Sequence, residues 1–315
     1  MDLTGNAQSL PGPVLVVTGP TATGKSDLAV ALATELGGEI VNADSMQLYR
    51  GMDIGTAKLP ITERHGVPHH LLDIWDVTHT ADVASYRRLA RDRIDALLAS
   101  GRTPVLVGGS GLYIQAVVDH LDFPGTDPRL RAELETELAR VGPAVLHRRL
   151  TALDPEAGAA ILPSNGRRIV RALEVVSLNG SFTATLPRRE AVYHTVQLGL
   201  DRDTEELDDR LARRVDLMWE QGFVAEVERL RGVGLEQGRT AGRALGYRQI
   251  LAHLNGEWDE DTARQRTVSG TRRFVRRQRS WFRRDDRITW LDAGDRGLVG
   301  RALAVIRDRS VAARG

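Results

Sequence analysis

Cysteine is absent from the 315-residue chain, which excludes a disulfide framework and any thiolate zinc site. No apolar run approaches the about 18 residues that a membrane-crossing helix needs, so no membrane partner is expected. The opening "MDLTGNAQSLPGP" lacks both a basic n-region and an apolar h-region. It reads as a disordered leader over residues 1–12 rather than an export signal, and the expected location is the cytoplasm. Neither sign of charge dominates, the formal net charge being +1. No internal repeat or long low-complexity tract is present. With 42% hydrophobic and 27% charged residues, the chain has the balance of a globular protein rather than a disordered or fibrous one.

The near-neutral total hides an uneven distribution. Ten arginines stand against two aspartates from Arg264 to Arg287, whereas Asp201 to Asp209 is acidic. A basic cluster of that density can meet an anionic polymer, although a solvated helix face is the blander and more common origin of such a cluster.

Strand and helix patterns alternate along the first part of the chain. "PVLVVTGP" is an apolar, β-branched strand that runs into a glycine-bearing loop and the amphipathic helix "SDLAVALATEL". "GGEIVNAD" gives a second strand, "ASYRRLARDRIDALLASG" a helix, and "TPVLVGGSGLYIQAVV" a third strand turning into a helix. This order predicts an α/β fold, a P-loop-type parallel sheet flanked by helices. From Asp122 to Arg189 the pattern becomes a run of helices broken by Pro and Gly, which predicts an all-helical insertion domain. "YHTVQLGLD" resumes the strand pattern, and "ITWLDA" supplies a last short strand. The expected organisation is a core over 13–121, the insertion over 122–189, and core completion with basic C-terminal helices over 190–315.

Gly19, Gly24, Lys25 and Ser26 satisfy the spacing G-x-x-x-x-G-K-[ST] between a strand and a helix. In such a loop the backbone N–H groups point inward and the helix terminus adds positive charge. Lys25 neutralises phosphate oxygens, and Ser26 can ligate Mg²⁺. The loop binds a polyphosphate, usually ATP or GTP, without saying which.

A nucleotide hydrolase adds an apolar strand ending in an acid that holds Mg²⁺. Here "TPVLVGG" ends in Gly108 and Gly109, followed by Ser110. The strand-terminal acid is Asp44, twenty residues after Gly24. At the carboxyl end of a parallel strand it faces the ligand crevice, where it can serve as metal ligand, base or cap.

"GPTATGKS", "NADSMQLYRGMDIGTAKL", "PHHLLDI", "VGGSGLYIQA", "NGRRIVRALEV", "GYRQ" and "TRRFVRRQRSWFRR" occur in this order, and together they resemble the bacterial tRNA dimethylallyltransferases. The resemblance runs from about Val14 to Arg284. One departure is Ser110, where the family commonly has Thr; both keep a hydroxyl. The resemblance implies that the loop, Gly19, Pro20, Thr21, Ala22, Thr23, Gly24, Lys25 and Ser26, grips the diphosphate of dimethylallyl diphosphate with Mg²⁺. It implies transfer of the dimethylallyl group to N6 of the adenosine 3′ of the anticodon in tRNA, releasing pyrophosphate. Asp44 is then the general base, with Ser110 beside it and Lys25 stabilising the leaving group. Arg214, one turn after Arg210, is expected to reach the diphosphate.

For the anticodon stem-loop, the resemblance implies contacts from Asp44, Ser45, Met46, Gln47 and Ser110, and from the insertion through Arg167, Arg168, Ile169, Val170 and Arg171. Phosphate contacts are expected from Arg272 to Arg284, while Phe274, Trp281 and Phe282 are expected in the core. The family leans towards monomers, and no obligate protein partner is expected. His69 and His70 are adjacent and lack a matching cluster, which argues against a metal. Two other readings compete: a small-molecule kinase using ATP, suggested by the loop, and a non-catalytic RNA-binding protein, suggested by the arginines.

Overall fold

The computed structural model describes residues 12–183 and 189–312. Residues 1–11 of the expected leader lie outside the described residues. The chain divides into two compact units, one running up to Asp119 and resuming at Ala191, the other comprising His120–Glu190.

In the first unit, β1 (Val14–Thr18), α1 (Lys25–Leu36), β2 (Gly38–Asn42), β3 (His69–His70), α2 (Val83–Ala99), β4 (Thr103–Val107) and α3 (Gly111–Val118) precede the interruption. After it come β5 (Thr195–Asp201), α8 (Thr204–Glu220), α9 (Phe223–Gly232), α10 (Tyr247–Leu254), α11 (Glu260–Phe282), β6 (Ile288–Asp292) and α12 (Leu298–Ala312). The six strands of the described residues form one sheet in the order β3-β2-β4-β1-β5-β6, every pairing parallel. Parallel strands need crossovers, and crossover helices cover both faces, so the central strands are apolar throughout. Every residue of β1 is buried. Leu15 and Val17 meet α1 and α12 on one face, while Val14 and Val16 meet α2, α3 and Phe282 on the other. The expected α/β class is the one the chain adopts.

The strand pattern missed β3. His69 and His70 pair with Ile40 and Val41 because the outer edge of β2 needs a partner, not because two histidines favour a strand.

The second unit contains α4 (Pro128–Val141), α5 (Pro143–Leu153), α6 (Pro155–Ala160) and α7 (Gly166–Asn179). Proline stands in the first turn of α4, α5 and α6, where the missing N–H costs no hydrogen bond. Asn165 caps α7 by accepting the Arg168 N–H at 3.2 Å. Leu146, Leu150, Ile169 and Leu173 close the core between these helices.

Candidate active site

The sheet order decides which loops meet. β2, β4 and β1 are consecutive neighbours running in the same direction, so the segments leaving their carboxyl ends converge at one edge. Those segments carry Asp44, Ser110 and the phosphate loop. Backbone bonds lace them together: Ala43 N–H donates to Val107 O at 2.7 Å, and Gly108 N–H donates to Val17 O at 3.2 Å.

The loop has the shape its glycines allow. Gly19 sits at φ +132°, and a Cβ there would collide with the Leu200 carbonyl oxygen of β5. The Pro20 carbonyl, exposed by that turn, accepts from both Lys25 Nζ and Thr23 Oγ1. Ala22 adopts φ +65° and packs against Leu207, Leu211 and Val275 of α8 and α11. Arg210 reaches the loop through Nε, which donates to Ala22 O at 3.2 Å.

Lys25, Arg214 and Asp44 lie within electrostatic reach of one another. Withdrawal from solvent, and then the nearby Arg214 charge, lower the Lys25 pKa to about 7, against a partial offset from Asp44. Burial likewise lowers the Arg214 pKa, while Asp44 supports its charge. Lys25 and Arg214, both withdrawn from solvent beside the phosphate loop, make a site suited to an anion.

Asp44 is held by its own neighbourhood. Its N–H donates to Asn42 Oδ1 at 2.9 Å, Asn42 Nδ2 donates to Asp44 O and Leu71 O, both at 3.1 Å, and Met46 N–H donates to Asp44 Oδ1 at 2.9 Å. Tyr86, fully buried, donates its hydroxyl to Asn42 O at 2.8 Å. Ser110 Oγ accepts from Ser45 N and also bonds Ser45 Oγ, each at 3.2 Å. Gln47 Nε2 donates to Thr56 O at 3.2 Å, and Met46 packs partly into the aromatic cluster around Tyr49 and Phe223. The loop beyond is anchored by Glu226, only 1% exposed, which accepts from the N–H groups of Asp53, Ile54 and Gly55 and from Tyr247 Oη.

Three residues that sequence reasoning passed over hold this arrangement. Asn42 and Tyr86 brace Asp44, as described. Gln278, 5% exposed, accepts from Thr21 N–H at 3.1 Å and donates to Gly109 O at 2.9 Å. The signal was available: Ala263, Thr267, Gly270, Val275, Gln278 and Phe282 form the buried stripe of α11 at helical spacing, with Gln278 its one amide.

On the second unit, α7 presents Arg167 and Arg168 as exposed side chains. Ile169 and Val170, 0% and 4% exposed, belong to that unit's core, because the 3.6-residue period turns them inward. Of the five residues expected to contact tRNA there, Ile169 and Val170 thus have buried side chains, while Arg167 and Arg168 are exposed. Arg171 bonds Glu174 Oε2 at 2.9 Å and the carbonyls of Gly125 and Pro124. Glu174 is fully buried; burial opposes its ionisation, but hydrogen bonds from Arg131 and Arg171 outweigh it and lower its pKa.

His70 bonds Glu39 Oε2 at 2.6 Å, and His69 bonds Val67 O at 2.8 Å. Phe282 is buried, while Phe274 is half-buried with Arg277 over its ring and Trp281 packs at the edge of the core.

A family model described as IPP transferase matches residues 47–285. A tRNA dimethylallyltransferase of Parafrankia sp. (strain EAN1pec) is 65% identical over 297 residues, covering 94% of this chain and 92% of the relative. One from Streptomyces coelicolor is 63% identical over 307 residues, covering 96% and 98%. Among solved structures, the full-length tRNA isopentenylpyrophosphate transferase of Bacillus halodurans superposes with a TM-score of 0.71 at 37% identity, covering 96% of this chain and 99% of that one. A eukaryotic dimethylallyltransferase acting on tRNA gives a TM-score of 0.77 at 26% identity, covering 94% and 79%. With a family model spanning most of its length and relatives spanning nearly all of it, this chain belongs to the IPP transferase family, the tRNA dimethylallyltransferases.

Proposed function

We propose that the chain transfers the dimethylallyl group of dimethylallyl diphosphate to N6 of the adenosine 3′ of the anticodon in tRNA and releases pyrophosphate. One observation carries the reading: a phosphate loop with two partly desolvated basic groups, Lys25 and Arg214, stands beside Asp44, while β4 is followed by Gly108 and Gly109 instead of an acid. Phosphoryl transfer needs an acid to place its metal; a leaving diphosphate needs only to be held and its growing charge offset.

The donor's C–O bond breaks with its electron pair passing to the diphosphate, where the loop amides other than that of Thr21, with Lys25 and Arg214, stabilise the charge. The N6 lone pair forms the new C–N bond, and an N6 proton passes to Asp44. N6 is a poor nucleophile because its lone pair is delocalised into the ring, so the base must be placed before attack. Asn42 and the Met46 N–H do that by fixing the Asp44 backbone and one carboxylate oxygen. Ser110, on the segment after β4 and tied to Ser45 on the segment after β2, is assigned to the diphosphate and the incoming base.

Among the described residues no group of three His, Asp or Glu side chains can cage a metal. Ser26, in the first turn of α1, is a single hydroxyl ligand. This donor set fits a Mg²⁺ ion held mainly by substrate phosphate oxygens and water. Such an ion, when bound, adds positive charge beside the leaving diphosphate.

The target base must leave the anticodon-loop stack to reach Asp44, and Ser45, Met46 and Gln47, which follow Asp44 in the chain, are assigned to contact it. Arg167 and Arg168 are assigned to tRNA phosphates, as are Arg273, Arg276 and Arg277 on the exposed face of α11. The cytoplasm, where tRNA is modified, is the assigned location. Incubation with dimethylallyl diphosphate, Mg²⁺ and unmodified tRNA should release pyrophosphate only when both substrates are present. Turnover of ATP without tRNA modification would instead favour the kinase.

A further inference from the structure

The amide of Gln278 spans two loops that the chain places far apart in sequence. Thr21 N–H can only donate and Gly109 O can only accept, so the orientation of the amide is fixed by its partners: Oε1 faces the phosphate loop and Nε2 faces the end of β4. The close approach is built in on the other side as well, since a Cβ at Gly109 would collide with Gln278 Nε2. Gly109 directly precedes Ser110, whose hydroxyl meets Ser45, next to Asp44. The amide therefore ties the loop assigned to the donor to the segment that carries Ser110 and abuts the base. It also occupies the Thr21 N–H, which is then directed at protein and not at phosphate.

We propose that Gln278 is a positioning residue that sets the spacing between the donor's diphosphate and the acceptor side of the site, made by Asp44 and Ser110. It touches neither substrate. Its effect falls on the geometry of transfer, where displacement by about 1 Å costs up to roughly a hundredfold in rate. The inference rests on the prenyl-transfer reading given above.

Full-length wild type, Gln278→Met and Gln278→Glu are compared with dimethylallyl diphosphate and tRNA. Methionine keeps the volume and removes both hydrogen bonds. Its kcat per pyrophosphate-binding site should fall about tenfold to a hundredfold, with the KM for tRNA unchanged and one pyrophosphate site per chain retained. The glutamate variant supplies a signature that loss of packing cannot imitate. As a carboxylate it accepts from Thr21 N–H but repels Gly109 O; once protonated, its O–H replaces the missing donor. Its kcat relative to wild type should therefore rise as pH falls, by at least about threefold, because burial favours the protonated, donor-bearing carboxyl.

Three results overturn the inference: a methionine variant with wild-type kcat per site, a loss accounted for wholly by lost pyrophosphate sites, or a glutamate-to-wild-type ratio flat with pH. A wild-type chain that transfers no dimethylallyl group is a separate outcome, and it removes the functional reading together with the inference built on it.

Discussion

The ammonium of Lys25 donates to the backbone carbonyl of Pro20, so the phosphate loop is closed on its own cation. A diphosphate entering the loop is predicted to take over that amine and, with the Lys25 pKa lowered to about 7, to protonate it. A lysine so shifted is increasingly neutral above pH 7, and a nearby anion favours its charged form. Calorimetry of pyrophosphate binding at pH 8, in buffers of different ionisation enthalpy, should show more proton uptake, by up to about one proton, than in Lys25→Arg. Equal uptake in the two proteins would contradict this assignment.

The same group acts on stability with a defined sign. Its folded pKa, about 7, lies below the ordinary 10.5, so between these values the unfolded chain binds more protons. Stability through Lys25 therefore rises with pH across that window, and the cost of burying the charge is complete below it. Lys25→Met should raise the thermal midpoint of the ligand-free protein more at pH 6 than at pH 9. The reverse order would show that the ammonium is not desolvated.

Asp44→Asn keeps the side-chain shape, and its carbonyl can still accept from Met46 N–H, but it removes the base. Turnover should fall by roughly a hundredfold or more, while pyrophosphate and tRNA affinity remain within about threefold. Single-turnover transfer of labelled dimethylallyl groups measures the loss; unchanged turnover would take Asp44 out of the chemistry.

The arginines of α7 separate into two kinds. Arg167→Ala with Arg168→Ala should weaken tRNA binding and flatten its dependence on salt, since each lost phosphate contact releases fewer counterions. Arg171→Ala should instead destabilise the His120–Glu190 unit by roughly 2 kcal/mol, because the buried Glu174 loses one of its charged donors. Salt titration of binding and chemical denaturation distinguish them. A double variant with an unaltered salt slope would show that α7 does not reach the backbone.

Gly19→Ala places a methyl group against the Leu200 carbonyl at a φ of +132° that alanine avoids. The expected cost is about 2 kcal/mol or more, together with loss of pyrophosphate binding as the loop withdraws from β5. Equilibrium denaturation and calorimetry should show both; a variant with wild-type stability would mean that the loop has room to spare.

What the sequence disclosed follows from the range over which each signal acts. The five longer strands are apolar runs, and the phosphate loop is a spacing of glycines, so both are written locally. Asp44 and Ser110 were legible because strand ends in a parallel sheet point to one edge. β3 was not, since His69 and His70 form a strand only as partners of Ile40 and Val41. Gln278 stood among arginines of equal polarity, and only its phase on the buried stripe of α11 distinguishes it. Ile169 and Val170 were grouped with their arginine neighbours by a sequence block, whereas helix phase sends them to the core.

Nucleoside analysis of the reacted tRNA reads out the leaving-group role of the phosphate loop. Unmodified tRNA is incubated with the enzyme, Mg²⁺ and carbon-labelled dimethylallyl diphosphate, digested, and resolved by mass. The account predicts label on N6 of one adenosine, 3′ of the anticodon, with one pyrophosphate released per label. Unlabelled RNA, or release of orthophosphate from ATP in its place, would contradict it.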